Sequence, residues 1–148
     1  MATRGGLQAT AERATMRLLV WLYRRSGGTV AGKMFGVPLV LLTTTGRRSG
    51  RPWTVPVMYH PDGDHLVIVA SNGGRDRSPA WWLNLRASGK ATVQLRKDTF
   101  TVTAAEADGE TRDRLWALAV SRYDGYAKYA EKTDRRIPVV VLTRDATP

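Results

Sequence analysis

The chain has 148 residues and carries 23 Lys and Arg against 13 Asp and Glu, a formal net charge of +10 at pH 7. It contains no cysteine, which excludes disulfides, thiolate metal sites and a cysteine nucleophile. No apolar run reaches the roughly 18–20 residues that cross a bilayer, and the first residues lack the apolar stretch of a secretory signal. We therefore expect one cytoplasmic domain whose basic surface attracts a phosphorylated ligand, a nucleic acid or an acidic membrane.

The first predicted element is a helix over residues 7–25. Its apolar side chains recur at helical spacing, while Arg13, Arg17 and Arg24 form a separate polar face. Such a helix can pack its apolar stripe on the domain, which is the interpretation we favour. The alternative is a peripheral contact with the inner face of the cell membrane. We assign residues 1–30 to this amphipathic helix and residues 31–148 to the domain that follows it.

The remaining elements are mostly short strands joined by hairpin turns. Helices are predicted at 80–87 and 108–122, with a further helical stretch around residues 126–129. Because strands and helices do not alternate regularly, an antiparallel sheet is favoured over a doubly wound one. The pattern predicts an α+β, mainly β fold, built as a small barrel with flanking helices. Apolar runs bounded by turn residues place the strands at 38–45, 53–60, 65–71, 91–96, 99–105 and 137–143.

The strongest local motif is the turn Gly46-Arg47-Arg48-Ser49-Gly50. Its two glycines allow a tight backbone path whose N–H groups can point at an anion. Arg47 and Arg48 can bind phosphate or carboxylate through paired hydrogen bonds, and the Ser49 hydroxyl adds a donor. Taken alone, the turn is equally consistent with a solvated basic hairpin.

Other catalytic machinery is sparse. His60 and His65 flank a Pro-Asp-Gly-Asp turn, which hairpins use routinely, so we expect no metal site there. A nucleophile elbow, a Walker A loop and a dinucleotide fingerprint are all missing from the sequence. The side chains need a bound cofactor to supply redox chemistry.

Two further features could complete a ligand site. Ser71-Asn72-Gly73-Gly74 follows a strand and precedes a helix that begins near Pro79, an arrangement that favours anion binding. On that helix Trp81 and Trp82 diverge by about 100°, so one can pack inward while the other walls a pocket, although taken alone the pair favours core packing of both. Phenols at Tyr123, Tyr126 and Tyr129 are expected to share one helical face and can hydrogen-bond a ligand oxygen or donate a proton. Taken alone, this spacing favours a tyrosine stripe that packs on the barrel.

Taken in order, these motifs resemble the deazaflavin-dependent nitroreductase family, whose members use coenzyme F420. The resemblance extends over roughly residues 35–143, with similar spacing throughout. The matching stretches are Leu41 to Pro52, Val67 to Gly74, Pro79 to Leu85, Tyr123 to Tyr129 and Thr133 to Val141.

The resemblance implies an FMN-binding-like split β-barrel and a cofactor-binding domain over residues 31–148. It implies that Arg47, Arg48 and Ser49 hold the phosphate and oligoglutamate tail of F420. Further cofactor contacts are implied for Trp53, Thr54, Val55, Pro56, Val57, Met58, Val69, Ala70, Ser71, Asn72, Ala80, Trp81, Trp82, Leu83, Asn84 and Tyr126.

The resemblance also implies a reaction, in which reduced F420 passes a hydride to an electrophilic acceptor. Tyr126 lies over the ring and supplies the proton, unless water does so, and Ser71 is the second catalytic residue. A quinone, which can be lipid-soluble, is the expected acceptor, with nitro compounds and enones as adventitious substrates. Well-known nitro-reducing members have an aromatic residue in place of Met58 and a basic one in place of Asn72, so these positions should affect the acceptor range.

Two alternatives remain at this stage. Split barrels also bind FMN, whose phosphate would suit Arg47 and Arg48 equally well. A basic, non-catalytic nucleic-acid-binding module would explain the charge and use its tryptophans to stack on bases. We expect no nucleic-acid partner, because the arginines cluster on one turn and one helix and do not form a continuous stripe.

Overall fold

The computed structural model describes residues 4–146, with side chains from residue 10 onward. The helices are α1 (Arg4–Ser26), α2 (Ala80–Ser88), α3 (Gly109–Arg122) and α4 (Gly125–Glu131). The strands are β1 (Lys33–Met34), β2 (Val37–Thr45), β3 (Pro52–Met58), β4 (His60–Asp62), β5 (His65–Val69), β6 (Lys90–Leu95), β7 (Asp98–Glu106) and β8 (Val139–Arg144).

All paired strands run antiparallel, in the order β1-β2-β6-β7-β8-β5-β4, with β3 attached to β2. The sheet curls into a half-barrel around a core whose side chains come from β2, β5, β6, β7 and β8. Trp82 from α2 is 4% exposed and closes this core, while Trp81 packs against its edge. The expected antiparallel, hairpin-rich fold is confirmed.

Residues 53–60, predicted as a single strand, belong to two strands, β3 and β4. The strand is interrupted because the backbone leaves the β2 ladder at Tyr59. The β3 register extends from Thr45↔Pro52 to Leu39↔Met58, and Tyr59 then donates its backbone N–H to Pro38 O at 3.2 Å. Pro56 is accommodated because β3 is an edge strand, with β2 as its single partner among the strands that the structure describes. The basic turn therefore lies at one end of β3 and Met58 at the other, about 20 Å apart for six strand residues.

Helix α1 is attached to the sheet through its second half. Val20 and Tyr23 are buried against Leu39 and Leu41 of β2. The Tyr23 hydroxyl accepts the backbone N–H of Arg96 at 2.9 Å and lies within hydrogen-bonding distance of two carbonyl oxygens. This burial raises the pKa of Tyr23, because ionisation would place a charge in the apolar contact. The C-terminal half of α1 is therefore held in a fixed position against the sheet.

Candidate active site

The basic turn closes the β2–β3 hairpin and is held by its own backbone. Gly46 donates its N–H to Arg51 O at 2.8 Å, and Gly50 donates to Gly46 O at 2.8 Å. Gly50 has φ +71°, a left-handed conformation that favours glycine. A Cβ at Gly46 would lie 2.5 Å from Ser49 Oγ, which itself accepts the N–H of Arg51 at 3.2 Å. The turn therefore favours glycine at position 50 for its backbone conformation and at position 46 for the close approach of the Ser49 side chain.

The turn is fastened to α2 by a single buried carboxamide. Asn84 Oδ1 accepts both the backbone N–H of Arg47 at 3.1 Å and its guanidinium Nη1 at 2.9 Å. The amide nitrogen of Asn84 donates to Thr44 Oγ1 at 3.4 Å. Asn84 is 5% exposed, so these bonds are shielded from water. Arg47 and Asn84, both predicted to touch cofactor, are thereby bonded to each other.

A pocket of about 470 Å³ opens between the turn and the first residues of α2. Within residues 4–146, the guanidinium groups of Arg48 and Arg51 and the backbone N–H of Arg48 have no hydrogen-bond acceptor. Free cationic donors beside a helix N-terminus favour an anionic ligand. The pocket is lined by Gly46, Arg47, Arg48, Ser49, Arg51, Pro52, Trp53, Ala80 and Asn84.

Strand β3 leads away from this pocket and has two different faces. Val55 and Val57 pack against the barrel core. The Thr54 hydroxyl instead lies 2.7 Å from Thr43 Oγ1 and accepts Arg24 Nη2 of α1 at 3.1 Å. Because side chains alternate along a strand, the side chains of Trp53–Met58 are divided between these two faces.

The loop after β5 brings the next predicted group together. Val69, Ala70 and Ser71 are buried, and Arg135 holds this segment by donating to the backbone oxygens of Ala70 at 3.2 Å and Ser71 at 2.7 Å. Asn72 adopts a left-handed backbone with φ 49°, and its amide donates to Arg77 O at 2.9 Å. Arg135 was not identified from the sequence, where it reads as one more surface cation.

The three predicted tyrosines do form one cluster. The hydroxyls of Tyr123 and Tyr129 are 2.8 Å apart, and the rings of Tyr123 and Tyr126 meet edge to face at 5.0 Å. The hydrogen bond to Tyr129 and then burial raise the pKa of Tyr123 to about 12. Met58 packs against the same cluster, so the phenols lie at the end of β3 opposite the basic turn.

Tyr126 is the innermost member and is only 1% exposed. Its hydroxyl lies 2.9 Å from Nε2 of His60, whose ring is fully buried and meets the Tyr126 ring edge to face. Burial raises the pKa of the Tyr126 phenol and, with the charge of Arg122, lowers the pKa of His60 to about 4. At neutral pH His60 is therefore uncharged.

His60 is a part of the site that sequence reasoning missed, because its proximity to a hairpin turn favoured a surface position. The available signal was its place in an otherwise apolar strand pattern. Within the described part of the chain, no three His, Cys, Asp or Glu residues form a group that could hold a metal ion. Over the same residues, none of the helices combines the length and apolar character needed to cross a bilayer.

The buried His60 imidazole should make stability depend on pH. Between pH 6.5 and 4 the unfolded chain protonates this group while the native state does not, so stability falls as pH falls through that window. In urea titrations, the free energy of unfolding of the wild-type protein should be lower at pH 5 than at pH 7. We expect this difference to be about 1 kcal/mol smaller in His60→Gln. His65→Gln, the control, should keep the wild-type loss. An equal reduction in both variants would contradict this assignment.

The chain is similar to known proteins in both sequence and fold. Residues 15–144 match the model of the F420H(2)-dependent quinone reductase family. An F420H(2)-dependent quinone reductase of Mycobacterium tuberculosis is 38% identical over 133 residues, covering 87% of this chain and 89% of that protein. A solved F420-H2 dependent reductase (FDR-A) is 42% identical with a TM-score of 0.65, covering 71% of this chain and 93% of that one.

The likeness in fold extends further than the likeness in sequence. The heme storage protein HutZ of Vibrio cholerae is 13% identical, yet matches with a TM-score of 0.57 over 74% of this chain and 82% of its own. The split-barrel fold expected from the sequence is confirmed. With most of its length matched by the family model, the chain belongs to the F420H(2)-dependent quinone reductase family.

Proposed function

We propose that this protein is an F420H2-dependent reductase that transfers a hydride from the reduced deazaflavin to a quinone. The observation that carries the proposal is the pocket at the basic turn, where uncommitted arginines and a helix N-terminus converge. Family membership supplies the cofactor, and the pocket supplies a site whose charge matches the phosphate and oligoglutamate tail. Nitro compounds and enones are proposed as secondary acceptors.

In this proposal, the cofactor tail is bound mainly by side chains whose donors have no other hydrogen-bond partner among the described residues. Arg47 donates its backbone N–H and its guanidinium Nη1 to Asn84, and these two hydrogen bonds fix the turn. Arg48 and Arg51 line the same pocket and keep their donors available for the carboxylates and phosphate of a ligand. We propose that Arg47 and Asn84 shape this site while Arg48, Arg51 and the Ser49 hydroxyl bind the tail.

The ring is proposed to lie along β3, towards Met58 and the tyrosines. When bound, reduced F420 supplies a hydride from its C5 carbon. The chain contributes an apolar floor and the buried segment Val69–Ser71, which Arg135 holds in place. Such a fixed, dry surface holds the reacting partners in position and limits the access of water.

The acceptor needs a proton as well as a hydride. Tyr126 and Ser71 are the proposed catalytic residues, and both are buried in this structure, at 1% and 8% exposure. A direct contact of Tyr126 with an acceptor therefore requires a movement of α4. Tyr123 belongs to the same cluster, is only half-buried and offers a second phenol without that movement.

We also propose a peripheral membrane contact through residues 1–30, which we treat as a separate functional unit. Leu18 and Trp21 lie one turn apart on α1 and are 55% and 56% exposed, and Arg25 stacks over the Trp21 ring at 5.5 Å. Exposed apolar side chains beside arginines are typical of helices that lie on anionic lipid. This arrangement would place the enzyme at the inner membrane face, beside lipid-soluble quinones.

The proposed function is tested by mixing the protein with reduced F420 and menadione and following the return of oxidised-cofactor absorbance. Fluorescence titration with F420 and with FMN then identifies the cofactor. We expect turnover and tight binding of F420. Micromolar binding of FMN with none of F420 would overturn the proposal.

In the same titration, Arg48→Ala should weaken F420 binding more than tenfold, because a charge-assisted pair of hydrogen bonds is lost. Lys97→Ala removes an equal charge at an exposed turn outside the pocket and serves as the control. Unchanged affinity in Arg48→Ala, or an equal loss in both variants, would mean that the turn does not hold the tail.

Tyr126→Phe should lower turnover with menadione at least tenfold and leave the affinity for F420 nearly unchanged, since general acids contribute about 10²–10⁴-fold. Tyr123→Phe and Tyr129→Phe are the matched variants. An unaffected rate in Tyr126→Phe alongside a slowed Tyr123→Phe would assign the proton to the more exposed phenol.

Vesicle sedimentation tests the membrane contact. Trp21→Ser should reduce binding to phosphatidylglycerol vesicles several-fold, because the indole anchors such helices at the lipid interface. Met34→Ser removes an exposed apolar side chain outside residues 1–30 and should have little effect. If wild-type protein stays in the supernatant at low salt, the membrane proposal is wrong.

A further inference from the structure

The hairpin that joins β1 to β2 has an unusual tip. Its two turn residues, Phe35 and Gly36, have φ values of 51° and 78°. Two-residue hairpins with left-handed backbone at both positions favour Asn-Gly or Gly-Gly, because a bulky side chain is strained there. A phenylalanine in this conformation runs against the local backbone preference. Backbone strain of this kind clusters at ligand sites.

The Phe35 side chain is 73% exposed, the highest value among the large apolar side chains that the structure describes. It is not loose on the surface, since its ring lies nearly parallel to that of Tyr123, with centroids 5.4 Å apart and planes 7° apart. One face of Phe35 is thus supported by a tyrosine and the other faces outward. A supported, outward-facing aromatic plane suits stacking with a second flat ring.

The position of this pair relates it to the proposed reaction. Val37 follows the hairpin tip directly, and two residues further along Leu39 pairs with Met58 at the end of β3. Tyr123 packs against the cluster that contains Met58 and Tyr126. Phe35 and Tyr123 therefore stand at the aromatic end of β3, away from the basic turn, where the acceptor must approach.

We infer that the outward face of Phe35, backed by Tyr123, is the stacking platform for the hydride acceptor and determines a preference for flat, fused-ring quinones. The inference rests on the proposed function and deepens it. A two-ring quinone covers more of the Phe35 face than a one-ring quinone, so loss of the platform should penalise the larger acceptor more.

The decisive variant is Phe35→Asn, because asparagine tolerates the left-handed turn and Asn-Gly is a preferred hairpin tip. We expect the KM for menadione to rise about 3- to 10-fold, in line with the contribution of an aromatic stacking contact. The KM for benzoquinone should change less, and the affinity for F420 should stay the same. The unfolding midpoint in urea should not fall, which separates a role in selectivity from a role in folding.

Two controls bracket this variant. Phe35→Trp keeps an aromatic plane and should keep the menadione KM within about twofold of wild type. Met34→Ala removes the neighbouring exposed side chain, which is 39% accessible on the same hairpin, and should leave both KM values unchanged.

The outcomes separate the inference from the proposed function. A wild-type protein that oxidises no reduced F420 with any quinone would refute the proposed function itself. An active wild type together with an unchanged menadione KM in Phe35→Asn would overturn the platform alone. A change of oligomeric state in Phe35→Asn, with the KM unaltered, would overturn it in favour of a contact between copies of the chain.

Discussion

The pairing of β2 with β3 is the constraint on which the rest of the structure depends. Its register fixes the basic turn at one end, through Thr45↔Pro52, and Met58 at the other, through Leu39↔Met58. Polar and charged groups gather at the first end and aromatic rings at the second. Because a strand is stiff, a ligand that spans it must present an anionic part and a flat apolar part at a matching separation. A phosphorylated cofactor with a fused-ring head has that shape.

At the charged end, the interactions that build the turn are distinct from those left for a ligand. The Asn84 carboxamide satisfies Arg47 twice and is itself supported by Thr44. A buried amide held by several hydrogen bonds is rigid, and losing it would leave the Arg47 N–H without this acceptor. The backbone that carries Arg48 and Arg51 is consequently ordered before a ligand binds. This order reduces the conformational entropy that is lost on binding.

Much of this arrangement could be predicted from the sequence, for identifiable reasons. The strands and the glycine-bracketed turn depend on local periodicity and backbone preference, which neighbouring residues reveal. The partner of Asn84, the burial of His60 and the carbonyl contacts of Arg135 depend on residues 37 to 66 positions away. Such pairings follow from how the sheet curls, and no single sequence pattern encodes them. For the same reason, the tyrosine spacing predicted a common cluster but did not show that Tyr126 is its innermost member.

Several local rules of protein structure are broken near the aromatic end, although Ala31 and Arg96, outside the aromatic cluster, also adopt left-handed backbone conformations. Phe35 and Asn72 adopt left-handed backbone conformations, and His60 Nδ1 and Arg135 Nη1 are buried without a hydrogen-bond partner among the described residues. Each feature costs stability, and selection for folding alone would remove such costs. Sites that combine several destabilising features are expected to be functional. The turn, by contrast, uses glycines where its geometry needs them and satisfies its buried amide. This asymmetry is consistent with a cofactor end built for rigid holding and an acceptor end in which packing is compromised for selectivity and chemistry.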